Sequence, residues 1–329
     1  MKRNLIVSIT TTTALLAALT AQAGDVGHFL GGIYDIRDYF VPAESGVYGG
    51  AYNYYYRTER FNNNNGDKVN TGPLGLTTFD FDVKMYALAV PVIWVTPYEI
   101  LGAKYAAYIA PSFANSSLDA NINTALNRGG SIKGSSFGVG DLFAQPLWLD
   151  WALGHWDLML AYGFYAPIGK YNTTTVGGAT LESASNIGLG YWTQQIQSGV
   201  AWYPWTNKAT AVTGVLTYEY NSIQRDTGVR YGELLTFNWG ISQYLPLTKD
   251  EKLLLEIGPA GYDAFQISDN TGQLGGTPSD HSQVQAVGGQ IGLTYVPWSL
   301  VLNFHGFYEY YAINRVQGAS FGINLIKKF

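Results

Sequence analysis

Cysteine is absent from all 329 residues, which removes disulfides, a thiol nucleophile and the cysteine of a lipid anchor together. Charge is scarce. Asp, Glu, Lys and Arg make up 13% of the chain, about half of what a soluble domain carries. Beyond the first residues, no run reaches the roughly 18 consecutive apolar residues of a membrane helix. The four histidines, His28, His155, His281 and His305, are scattered. They form no HExxH and no pair at helical spacing, so neither a metal site nor another cofactor is expected. A net charge of −5 gives no electrostatic reason to expect a nucleic-acid partner.

Aromatic side chains are plentiful: they reach 15%, with 25 Tyr and 9 Trp, beside 39 Gly. Low charge and many aromatics without a helical span suit a transmembrane β-barrel, which needs apolar residues only at every second position. The stretch Tyr191 to Tyr220 shows that pattern twice. Trp192, Ile196, Val200 and Trp202 share one face of a strand, opposite Thr193, Gln195, Gln197 and Gly199. After Pro204-Trp205-Thr206-Asn207-Lys208, Val212, Gly214, Leu216, Tyr218 and Tyr220 share a face, opposite Thr213, Val215, Thr217, Glu219 and Asn221. Period-2 alternation means one greasy and one polar surface.

Residues 1–23 read as a secretory signal: Lys2 and Arg3 precede an apolar core from Leu5 to Leu19, and Ala21-Gln22-Ala23 fits a cleavage site before Gly24. Export combined with a barrel composition predicts a Gram-negative outer membrane, with its lipids and lipopolysaccharide as partners. Residues 24–45 are irregular. They predict either a periplasmic tail or a plug folded into a lumen, and Phe29, Tyr34, Tyr39 and Phe40 favour the plug.

Residues 46–329 carry regular punctuation. Strands are predicted near 47–60, 79–95, 102–113, 137–150, 156–167, a hairpin over 187–220, 230–246, 253–267, 283–296, 300–311 and 318–329. That makes about twelve antiparallel strands with long and short connections alternating. Short turns mark the periplasmic side and place both ends of the barrel there. Trp94, Trp148, Trp151, Trp156, Trp202, Trp205 and Trp298 gather at the short turns, as an interfacial girdle would. On the last strand Phe321, Ile323, Leu325 and Phe329 share a face, and the aromatic end resembles the signal read by the barrel-insertion machinery.

Polar residues in phase with a barrel interior are the candidate lumen lining: Asp82, Lys84, Asp141, Gln195, Gln197, Glu219, Glu256, Asn303, His305 and Glu309. Facing lipid near mid-membrane, Lys or Arg would cost about 2–4 kcal/mol and the acids less, so inward is their default. Tyr165 and Phe307 are inward aromatics suited to an apolar or aromatic solute. Gly134-Ser135-Ser136-Phe137-Gly138 matches GxSxG, but it opens a strand where that motif needs a strand-to-helix elbow. An outer-membrane lipid hydrolase or acyltransferase would need His305 as base, yet His305 shares the inward phase of Asn303 and Glu309.

Several short motifs, in order, resemble an outer-membrane family linked to the meta-pathway of phenol degradation (Phenol_MetA_deg). They are Gly46-Val47-Tyr48, Gly138-Val139-Gly140-Asp141-Leu142, Ala166-Pro167-Ile168-Gly169-Lys170-Tyr171, Asn186-Ile187-Gly188-Leu189-Gly190-Tyr191-Trp192, and the stretch Tyr308 to Gly318. The resemblance implies a barrel distantly like the fatty-acid and aromatic-hydrocarbon channels. The expectation is a non-enzymatic channel for passive uptake of small hydrophobic or aromatic compounds. A lipid hydrolase and a structural or adhesin barrel are its rivals.

Overall fold

The computed structural model describes residues 27–69, 77–124, 130–176, 179–183, 186–272 and 281–329. The proposed signal, its cleavage site and residues 24–26 lie outside these residues. Among the described residues seventeen strands are present: β1 (Gly46–Phe61), β2 (Thr77–Ala89), β3 (Val92–Ile100), β4 (Ala103–Ala110), β5 (Ser112–Thr124), β6 (Gly130–Val139), β7 (Leu142–Leu153) and β8 (Trp156–Ala166). There follow β9 (Thr173–Val176), β10 (Ala179–Glu182), β11 (Thr193–Trp202), β12 (Thr210–Asn221), β13 (Leu234–Pro246), β14 (Leu253–Gln266), β15 (Gln283–Tyr295), β16 (Leu300–Ile313) and β17 (Val316–Lys328).

Three neighbouring staves of the barrel are each broken once. β2 and β3 are separated by Val90-Pro91, β4 and β5 by Pro111, and β6 and β7 by Gly140-Asp141. Joining these halves gives twelve antiparallel staves, and β17 pairs with β1 to close the cylinder. Closure leaves no long edge to satisfy in lipid, the condition a spanning sheet must meet. β9 and β10 form a separate hairpin.

Alternation sorts the residues as a barrel demands. On β11, Thr193, Gln195 and Gln197 are buried, while Ile196, Val200 and Trp202 are exposed. On β12, Thr213, Val215, Thr217, Glu219 and Asn221 are buried, while Leu216 and Tyr220 face out. Phe237, Ile241, Ile257, Val287, Ile291, Phe304, Phe321, Ile323 and Leu325 extend the outward band around the wall. Trp94, Trp156, Trp202, Trp205 and Trp298 ring the short-turn end, and Trp192, Tyr220, Tyr308 and Tyr310 lie toward the other. Lys327 sits at the rim, with its ammonium 5.6 Å from the Phe329 ring centroid.

Trp148 departs from the expected girdle. It is buried in the lumen and donates its indole N–H to the Tyr39 carbonyl at 3.1 Å. The cause is a bulge: the β7 register slips between Ala144 and Leu147, around Pro146, and the β4 register between Ala106 and Tyr108. One extra residue inverts the phase of everything after it.

The polar stretch between the predicted strands 102–113 and 137–150, expected to be loop, instead carries much of two long paired strands, β5 and β6. Above the hydrocarbon a strand needs no greasy face, so its alternation disappears from the sequence while the ladder continues. Two other strands begin later than the pattern suggests, at Thr193 and Leu234.

Candidate functional site

The lumen is occupied by the chain itself. Residues 27–45 descend through it from the outer half to the periplasmic end and touch nearly every stave. At the top, the His28 ring lies 2.7 Å from Thr193 Oγ1 and 2.9 Å from Asp141 Oδ2, stacked on Tyr165 with centroids 4.6 Å apart. The Phe29 amide donates to Glu219 at 3.0 Å, and the Gly32 amide donates to Asn238 at 3.1 Å. Gly32 has φ +74°, and a Cβ there would strike the Phe307 ring, so only glycine fits this turn.

Lower down, Asp35 meets His305 at 2.9 Å and accepts from Asn324 at 3.0 Å. Arg37 donates to Ser242, Glu256 and the carbonyls of Lys208 and Ala209, and its guanidinium covers the Tyr244 ring at 4.2 Å. The Tyr52 hydroxyl donates to Asp38, and the Val41 amide donates to Asp150. Glu44 ends the descent at Lys328, whose ammonium holds that carboxyl below the usual carboxylate range. Buried polar groups demand partners, and here wall and inner segment supply one another.

This contact set fixes where each predicted lining residue stands. Asp141, Gln195, Gln197, Glu219, Glu256, Asn303, His305 and Glu309 are all buried inside the barrel. Four of them, Asp141, Glu219, Glu256 and His305, bind the inner segment rather than an open water path. Asp82 and Lys84 do not belong to the set. Asp82 pairs on the outer surface with Arg57 at 3.2 Å and with Lys84 at 2.7 Å. On β1 the buried phase is Tyr52, Tyr54, Tyr56 and Thr58, so Arg57 and the residues paired beside it point out. The inward default fails there because these charges neutralise one another on an exposed surface, toward the outer end of the strand, where the cost of charge fades.

His305 packs against Gly322, and a Cβ at 322 would overlap its ring. Gly322→Ala should therefore push His305 off Asp35 and cost about 1–3 kcal/mol, the range for overpacking a tight site. A lowered unfolding midpoint in detergent would register it, and an unchanged midpoint would mean the ring has room to yield.

Above the inner segment the lumen opens into a chamber of about 440 Å³, within the range of small-molecule sites. Residues 27–31, Ile33 and Tyr34 form its floor. Val83, Met85, Leu118, Phe143, Tyr165, Ile187 and Leu189 give it mostly apolar walls. Asp141, Glu309 and Arg315 are polar residues on its lining.

The wall of this chamber is where the barrel is broken. Pro91 and Pro111 lack the amide a ladder needs. The three breaks sit side by side: Gly50 donates to the Pro91 carbonyl, Val90 to Pro111, and Gly140 to Ser112. Beyond them β2, β5 and β6 run on as a sheet, and among the described residues β6 pairs with β5 alone. Its free edge is closed at the base by the Lys170 amide on the Val139 carbonyl, with Lys170 Nζ donating to Ser136 Oγ at 2.7 Å. Ser136 thus sits within a strand, beside Lys170.

Asp141 holds this junction together. Its Oδ1 accepts the Gly169 amide at 2.8 Å, and its Oδ2 accepts the Leu189 amide at 2.8 Å as well as meeting His28. Gly169 and Gly188 lie so close that a Cβ on either would meet the other's backbone at 2.8 Å. Sequence alternation points Asp141 inward. It does not foretell that three glycine-containing segments far apart in the chain meet at this one carboxylate.

A closed twelve-stave barrel with a greasy exterior, aromatic rims and a polar, plugged interior defines an outer-membrane β-barrel. The chain belongs to the family described as the MetA-pathway of phenol degradation, matched over residues 58–325. An outer membrane channel from Pseudomonas putida F1 shares the fold, with 16% identity, a TM-score of 0.60, and coverage of 90% of this chain and 100% of that one. The transport unit of the autotransporter AIDA-I from Escherichia coli has 9% identity and a TM-score of 0.43, covering 95% of this chain and 97% of its own. A FadL homologue from Pseudomonas aeruginosa has 9% identity and a TM-score of 0.37, covering 87% and 91%. The last two are too distant to carry an argument. No curated protein sequence matches the chain. Family and fold place the protein in the outer membrane.

Proposed function

We propose that the protein passively admits small hydrophobic or aromatic compounds through the outer chamber, and that it acts as a channel rather than an enzyme. The observation that carries this reading is the lining of the chamber at the broken wall. An intact strand offers a cavity only every second residue. Here Ala87, Leu88 and Ala89, and again Ser112, Phe113 and Ala114, line one cavity in succession. The chamber therefore reaches both faces of the sheet at the breaks, which supports a greasy solute leaving sideways toward lipid instead of crossing the packed, polar lower lumen. Export through a cleaved signal fits this placement.

The hydrolase alternative loses its base: His305 lies inside the barrel, bound to Asp35 and pressed against Gly322, away from any outer-wall lipid. Liposomes carrying the purified protein should take up toluene, benzyl alcohol and benzoate faster than empty ones. Equal rates across that panel would sink the transport reading.

A further inference from the structure

The chamber is apolar along most of its wall, but one end holds a cation whose hydrogen-bonding capacity is incompletely used. Arg315 lines it with a largely buried side chain, and its Nε has no partner among the described residues. The nearest carboxylate, Glu309, is already taken. It accepts the Tyr56 hydroxyl at 2.7 Å, the Tyr262 hydroxyl at 2.9 Å and the Gly318 amide at 2.6 Å, and stands 3.8 Å from Arg315 Nη2. An unpaired buried donor on a guanidinium is costly, and a guanidinium fork is shaped for a carboxylate. The other basic side chain on the lining, His28, has both ring nitrogens committed to Thr193 and Asp141.

We propose that the chamber is a binding site for aromatic monocarboxylates, with Arg315 receiving the carboxylate and the apolar wall taking the ring. This deepens the channel reading and rests on it. The Glu309 charge beside Arg315 opposes a second anion, but three donors already stabilise that charge, and Arg315 Nε gains its missing acceptor only from the ligand. The chamber volume leaves room for a single ring with its carboxyl group.

Calorimetric titration of the detergent-solubilised protein with benzoate, benzyl alcohol and toluene tests the class. Benzoate should bind about tenfold more tightly than benzyl alcohol, the effect of one hydrogen bond to a charged group. In Arg315→Gln that ratio should fall to about one, and Arg315→Lys should restore part of it. Retained heat-modifiable migration on gels shows that each variant is a folded barrel. A wild-type ratio near one overturns the proposal, as does a ratio that survives Arg315→Gln. Failure of all three probes to bind while liposome uptake persists overturns this site but leaves the channel standing. Failure of binding and uptake together removes both.

Discussion

Deletion of His28 to Tyr39 should leave a folded barrel whose single-channel conductance is several times that of the full chain. The ladder closes through β1 and β17 without help from the inner segment, and the lipid-facing band owes nothing to it. What the deletion removes is the filling of the lumen. Broken buried pairs usually cost about 3–5 kcal/mol because a charge is left dry. Here the space vacated is continuous with water, so Glu219, Glu256 and His305 would be hydrated rather than stranded, and the loss should be far smaller than the number of severed contacts implies. The emptied pore should also prefer cations. Asp35, Asp38, Arg37 and His28 leave with the segment, while Glu219, Glu256 and Asp141 stay on the wall, and acidic linings select cations. Planar-bilayer recordings in a potassium chloride gradient read both effects. An unchanged conductance would show that something other than residues 28–39 limits the pore.

Much of the barrel is legible in the sequence because lipid imposes a rule that acts residue by residue. Wherever a strand crosses hydrocarbon, one phase must be apolar, so Ile196, Val200, Leu216 and their neighbours announce their faces. The rule stops at the membrane boundary, and there the reading stops too: β5 and β6 pass for loop, and Asp82 and Lys84 are sent inward when an outward, mutually paired position costs little. It is also blind to a single inserted residue, which is why Trp148 is misplaced by the bulge at Pro146. The prolines at 91 and 111 are visible in the sequence, but their alignment across neighbouring staves depends on register, which alternation alone does not give. The chamber arises from that alignment, and Arg315, off the phase of any recognised strand at the β16–β17 turn, carries no periodic signal at all.

Asp141→Ala should lower stability by about 3–5 kcal/mol, a large effect for one exchange in a barrel of this size. The carboxylate is buried at the break between β6 and β7 and satisfies two amides from the segment 167–190 together with the His28 ring. Truncation orphans all three, and each buried unsatisfied donor costs about 1–3 kcal/mol. Gly169 has no side chain, and Leu189 only an apolar one, so neither can compensate. Asp141→Asn is the sharper test. It keeps the shape, but an amide offers one oxygen where two are needed, and whichever way it turns, its NH2 faces the amide of Gly169 or of Leu189. Repulsion between donors should therefore make Asn nearly as damaging as Ala, whereas a site using Asp141 only to fill space would tolerate it. Because the same carboxylate ties the segment to the edge of β6, both variants should also expose residues 167–190 to limited proteolysis while the rest of the barrel resists. Guanidinium unfolding in micelles and protease mapping check the two parts separately. A loss below about 1 kcal/mol in Asp141→Asn, with residues 167–190 still protected, would mean that the junction at the broken wall is held by its packing and not by this carboxylate.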